Sequence, residues 1–139
     1  MGNKVKTQVI ATLANYFYNL GKSVLLVTPN KKPNEELVKR CKNAFNLEVP
    51  SKDLRINNII TSGLLNRTEV KDSNLLKELE KLWAKYEIVL VDEVEYTINP
   101  GGMFLYDRLV GAERMYGFSG TADKTGGECI SFIEGLNET

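Results

Sequence analysis

Histidine is absent from these 139 residues. Its absence removes the commonest transition-metal ligand and the usual general base together. Cysteine is nearly absent too: Cys41 and Cys129 lie far apart and match no metal or redox spacing. They read as reduced, buried, small apolar residues. Nor is there an excess of charge of either sign, since 18 Lys and Arg balance 18 Asp and Glu. No global basic field announces a nucleic-acid partner, so any such binding must come from a local patch. No apolar run approaches the length that spans a bilayer, and no signal peptide, repeat or low-complexity segment is in view. These absences predict one compact, cytoplasmic (intracellular) domain over residues 1–139, without a membrane, and large enough to bury an ordinary core.

What is present is organised around Ile88-Val89-Leu90-Val91-Asp92-Glu93-Val94-Glu95. Four apolar residues running into adjacent acids read as a strand buried on both faces of a parallel sheet. Open α/β sheets bind ligands in the crevice beyond such carboxyl ends. Asp92 there could ligate Mg²⁺ and Glu93 could polarise a water. The plainer reading is a buried strand whose acids simply meet solvent at its end.

Along the chain, Val9, Ile10, Leu13, Ala14, Phe17 and Leu20 recur at helix spacing, with Gly21 placed to end the helix. Val24 to Thr28 reads as a strand closed by Pro29. Pro33 then suits the first turn of a helix striped by Leu37, Cys41 and Phe45. Ile56 to Thr61 reads as a third strand, and Asn66 to Ser73 as a polar loop turned outward. Ser73 can cap a helix whose apolar stripe is Leu75, Leu76, Leu79, Leu82, Trp83 and Tyr86. After the Ile88 strand, Asn99-Pro100-Gly101-Gly102 reads as a turn before a short helix over about Met103 to Leu109. Met115 to Ser119 and Cys129 to Ile133 read as two further strands. Strand and helix alternate as in a mostly parallel sheet with helices on both faces.

Four segments fall in a fixed order: Gly2-Asn3-Lys4-Val5-Lys6-Thr7 before a helix, Thr28-Pro29-Asn30-Lys31-Lys32 after a strand, Val91-Asp92-Glu93-Val94-Glu95, and Phe118-Ser119-Gly120-Thr121-Ala122. That order resembles the first RecA-like domain of superfamily-two helicases, the DEAD and DEAH-box relatives, from Gly2 to about Asp123. The resemblance implies a three-layer α/β P-loop NTPase fold and a helicase-like ATP-binding domain with ATP and Mg²⁺ as cofactors. It implies that Gly2, Asn3, Lys4, Lys6 and Thr7 cradle the nucleotide, with Lys6 on the β and γ phosphates. Thr7 and Asp92 would hold Mg²⁺, and Glu93 would orient the attacking water. Pro29, Asn30, Lys31, Lys32 and Thr61 would touch the backbone of DNA or RNA. Ser119, Gly120 and Thr121 would couple hydrolysis to that contact.

The sequence departs from the pattern in three places. Val5 stands where the cradle has glycine, whose freedom lets backbone approach phosphate. No strand precedes the Gly2 loop, and the Cys129 to Ile133 segment is expected to fill its place in the sheet. No second RecA-like domain follows, so its arginine fingers are absent, and any activity would be ATP hydrolysis rather than autonomous helicase action. The expectation is therefore a degenerate or incomplete helicase-like domain, acting on or near nucleic acid or against a protein partner or second RecA-like domain. Two other classes stand beside it. One is a non-catalytic protein-interaction module that keeps the fold. The other is a nucleoside kinase-like enzyme, which would also place a Lys-Thr helix start ahead of an Asp-Glu pair.

Overall fold

The computed structural model describes residues 3–45, 56–68 and 73–119. Four strands, β1 (Val24–Thr28), β2 (Ile56–Ile60), β3 (Ile88–Asp92) and β4 (Arg114–Phe118), form one sheet in the order β2-β1-β3-β4. Every neighbouring pair is parallel, with Val24 opposite both Ile56 and Ile88, and Asp92 opposite Phe118. The helices are α1 (Asn3–Asn19), α2 (Lys31–Phe45), α3 (Leu64–Thr68), α4 (Ser73–Trp83) and α5 (Pro100–Tyr106). An all-parallel sheet must be covered on both faces, because every crossover returns over one of them.

The strands are built for that. All five residues of β1 and of β3 are buried, and alternate side chains serve opposite layers. Val24, Leu26, Ile88 and Leu90 pack with Ile10, Ala11 and Ala14 of α1 and Leu37 of α2. Leu25, Val27, Val89 and Val91 pack with Leu64 of α3, Trp83 of α4, and Phe104 and Leu105 of α5. The result is a three-layer α/β arrangement. Trp83 and Tyr86 are core residues at 2% and 1% exposure, as the helix stripe predicts. Leu20 and Leu75, placed on the same stripes from the sequence, are exposed instead. Leu20 lies past the end of α1, and Leu75 lies in the first turn of α4 beside Leu76, which packs against the core in its stead.

Several boundaries differ from the sequence expectation. Asn66 to Thr68, expected to begin an outward loop, instead end a short helix, α3. The helix expected over Met103 to Leu109 instead runs Pro100–Tyr106. Asn99-Pro100-Gly101-Gly102 is its start rather than a turn. Asn99 Oδ1 accepts from the Gly102 amide at 2.8 Å, and Asn99 Nδ2 donates to the Tyr96 carbonyl at 2.8 Å. Proline follows at the first helical position, where its missing N–H costs nothing. Asn99→Ala is expected to lower stability by about 1 kcal/mol, a melting shift of roughly 4 °C by thermal denaturation. An unchanged melting temperature would show that the cap contributes nothing.

β1 and β4 pair with the two edges of β3. The Cys129 to Ile133 segment lies outside the described residues. Among those residues, no helix is long and apolar enough to cross a membrane.

Candidate functional site

The sheet reverses its winding between β1 and β3. From β1 the chain goes through α2, on the α1 face, to β2; from β3 it goes through α5, on the opposite face, to β4. Neighbouring parallel strands whose connections leave to opposite sides open a crevice at their carboxyl ends. Here that crevice lies between Thr28 and Asp92, and its contents are ionic.

Lys6, in the first turns of α1, buries its side chain to 2% exposure, reaching across 87 residues of sequence to hydrogen-bond Glu93 Oε1. Its Nζ also stands 3.0 Å from Asp92 Oδ1. The Asp92 side chain is 8% exposed and that of Glu93 is 24% exposed. One ammonium thus faces two carboxylates, leaving the group at a formal net charge of −1. Burial alone would depress the Lys6 pKa. The hydrogen bond to Glu93, the contact with Asp92 and the charges of both acids outweigh burial and raise it above the ordinary 10.5. Asp92 Oδ1 is buried and is engaged by the Lys6 ammonium in the ion pair.

Glu93 carries the clearest backbone signal. Its φ of 51° and ψ of 50° are left-handed, and it is the one non-glycine residue with positive φ among the described residues. The conformation costs a non-glycine residue about 1–2 kcal/mol and is found where surrounding structure enforces it. It stops β3 abruptly and turns the chain into a 3₁₀ turn over Val94–Tyr96, closed by Tyr96 N–H donating to the Glu93 carbonyl at 2.9 Å. Thr97 locks the far side, its hydroxyl donating to the Val94 carbonyl at 2.8 Å and meeting the Tyr106 hydroxyl. The carboxylate of Glu93 is thereby aimed at Lys6 instead of continuing along the strand.

The other sequence candidates distribute unevenly. Asn3 to Lys6 form the opening of α1, not a loop ahead of it. Val5, which stands where the cradle has glycine, is helical with negative φ. Lys4 lies in that first turn and Thr7 follows Lys6 directly, half-buried. Gly2, Gly120 and Thr121 lie outside the described residues. Ser119 follows the last residue of β4, one step beyond the Asp92–Phe118 register, so it shares the Asp92 edge of the sheet.

The two segments expected to meet a nucleic-acid backbone are stitched together at the ends of β1 and β2. Thr61 N–H donates to the Thr28 carbonyl at 2.9 Å, and Ser62 N–H to the Pro29 carbonyl at 3.1 Å. Thr61 is fully buried, with its hydroxyl directed to the Thr28 carbonyl at 3.4 Å, and Pro29 is buried too. Neither presents a group to an outside partner. Asn30, Lys31, Lys32, Ser62 and Gly63 are exposed along this edge. Among the described residues Lys31 pairs with Glu35 at 3.8 Å, an exposed pair of the kind that contributes little. Sequence reading missed that Asn99 and the two glycines after it build the support behind the acids; the Asn-Pro pair, a cap followed by a first-turn proline, was the available signal.

For Mg²⁺, the acid donor at hand is Asp92, whose Oδ1 faces the Lys6 ammonium, and Thr7 follows Lys6 on α1. Among the described residues no group of three or more Asp, Glu, Cys or His side chains is disposed to hold a metal. The donor set suits an ion that takes one or two carboxylates and completes its shell with phosphate and water. Comparison of the chain with protein-family models, with curated proteins and with solved structures finds no match.

Proposed function

We propose that this chain is a nucleoside-triphosphate-binding domain of the P-loop type, akin to the first RecA-like domain of superfamily-two helicases. One observation carries the reading: Lys6 and the pair Asp92–Glu93 meet in the crevice where the sheet's winding reverses. A lysine at a helix start opposite two acids at a strand end is the minimum kit for phosphoryl chemistry. The lysine and the helix amides face phosphate, one acid supports Mg²⁺, and the other orients water. When Mg²⁺ is bound it would neutralise phosphate charge; Lys6, Asp92 and Glu93 hold and orient the reactants. Lys6 pairs with both acids here, so phosphate must compete for its ammonium before Glu93 can serve a water. The exposed Asn30, Lys31 and Lys32, on the same edge, are the groups through which a DNA or RNA backbone would be sensed.

A second reading, an interaction module without chemistry, has its own support. Lys6 is fully satisfied by protein carboxylates, and α1 begins at Asn3 without a glycine-rich loop among the described residues. Titration with ATP and Mg²⁺ under thermal denaturation separates the two. Ligand bound only by the folded state stabilises it, by about 2.7 kcal/mol at a hundredfold excess over Kd. The expected result is a saturable rise in Tm of several degrees, lost in Lys6→Ala and reduced in Asp92→Asn. No shift at millimolar ATP would leave the interaction module standing. Hydrolysis that rises with added single-stranded nucleic acid would favour the helicase relative over a kinase.

A further inference from the structure

We propose that Tyr96 is a stacking platform for one base of a single-stranded nucleic acid whose backbone lies along Lys31 and Lys32. The inference rests on the nucleic-acid part of the reading above and deepens it, because it says where a base goes. The segment that follows the acids crosses the sheet. It leaves β3 at Asp92, and by Gly101 it stands against Thr61, where an added Cβ would come within 2.3 Å of the carbonyl oxygen. Thr61 directly follows β2, and β1 lies between β2 and β3. The chain between Asp92 and Gly101 therefore passes over the carboxyl end of β1. From that same end Asn30 leads into Lys31 and Lys32, which open α2 and are exposed.

The crossing segment is built to show apolar groups to solvent. No residue from Tyr96 to Gly102 is charged, and its exposed side chains alternate: Tyr96 at 60%, Ile98 at 41%, then Pro100. Val94 and Thr97 are buried and anchor it from below. The backbone of Tyr96 is held on both sides, its N–H donating to the Glu93 carbonyl at 2.9 Å and its carbonyl accepting from Asn99 Nδ2 at 2.8 Å. A ring on fixed backbone has little freedom left to lose on binding. One exposed aromatic is ordinary. Here the ring shares a strand end with two ammonium groups, and the two kinds of group suit the two halves of a nucleotide. Charge decides which half goes where: the uncharged segment takes the base, and the lysines take phosphate. The Lys31–Glu35 pair is no barrier, because an exposed pair at 3.8 Å yields readily to phosphate. Ser62 and Gly63 continue the same rim and leave it open, since a Cβ on Gly63 would meet nothing within 4 Å among the described residues.

Fluorescence polarisation with the full chain and two labelled strands of about 12 nucleotides tests this, one strand an oligothymidylate and the other the same backbone without bases. Tyr96→Ala should bind the oligothymidylate about tenfold more weakly than wild type, the scale of one base stacked on an aromatic ring. Tyr96→Phe should keep the wild-type affinity, because the ring face is retained. On the strand without bases, wild type and Tyr96→Ala should bind alike. Both variants should melt where wild type does, since the ring is exposed. Lys31→Ala with Lys32→Ala should weaken both strands and flatten the salt dependence by about 1.4 in log–log slope, as two phosphate contacts to a single strand require. Tyr96→Ala binding the oligothymidylate as tightly as wild type overturns the proposal and leaves Tyr96, Ile98 and Pro100 as a face for a protein. An equal loss on both strands overturns it too, because the ring would then act without a base. An unchanged salt slope in the lysine variant overturns the backbone path. Wild type binding neither strand removes the nucleic-acid reading itself, and the stacking proposal falls with it.

Discussion

Lys6→Met lowers folding stability at neutral pH by about 3–5 kcal/mol, the cost of removing one partner from a buried ion pair and leaving the others uncompensated. Methionine keeps the stem's packing against the core, so the loss isolates the charge. What remains is Asp92 and Glu93 facing one another with no counterion, their side chains 8% and 24% exposed. Urea denaturation should show the midpoint falling with an unchanged m-value. The pH dependence gives a second check. Lys6 has a raised pKa in the folded protein, so its stabilisation is fully present below the unfolded value near 10.5 and is lost as pH rises through the higher folded value. Wild-type and variant stabilities should therefore converge above that window. A loss under 1 kcal/mol at pH 7 would mean that the trio is solvated and contributes little.

Gly102→Ala should be nearly as damaging, at about 3 kcal/mol, the upper end for overpacking. A Cβ at Gly102 would stand 1.8 Å from the Thr97 carbonyl oxygen and 2.9 Å from its carbon. Both are backbone atoms, so the clash is not relieved by a rotamer change. Thr97 is itself pinned through its hydroxyl to the Val94 carbonyl, immediately behind Glu93. The strain is thus passed to the left-handed turn that aims the carboxylate. Thermal denaturation measures the loss, and nucleotide affinity falling together with stability would show the strain reaching the acids. A variant as stable as wild type would show that α5 can slide away from Thr97.

The sheet was legible because its strands announce themselves. Val24 to Val27 and Ile88 to Val91 are short, apolar and bounded by turn residues, the pattern that burial on two faces requires. Parallel pairing followed from the helices between them. The site was legible in part: two adjacent acids after a buried run mark a strand's carboxyl end whatever the protein. That Lys6 would meet them depended on α1 lying across that end, which local sequence does not encode. That Thr61 is buried was not legible, because a hydroxyl beside an exposed Ser-Gly pair looks available, and the pairing of Thr61 with Thr28 shows that it turns inward. Gly101 and Gly102 resemble a turn until it is known that Thr61 and Thr97 carbonyls press on them. Contacts between distant segments decide both cases, and periodicity is silent about those.

The contact between Lys6 and Glu93 spans 87 positions of chain, against four for the Lys31–Glu35 pair on the surface. Closing the longer loop costs about 3 kcal/mol more chain entropy than closing the short one. That entropy is met by β1 and β3 pairing in the centre of the sheet, so the ionic trio assembles after the strands and comes apart with them. The residues proposed to handle phosphate therefore exist as a group only in fully folded molecules, and a partly folded chain carries the same acids and lysine with nothing to hold them together.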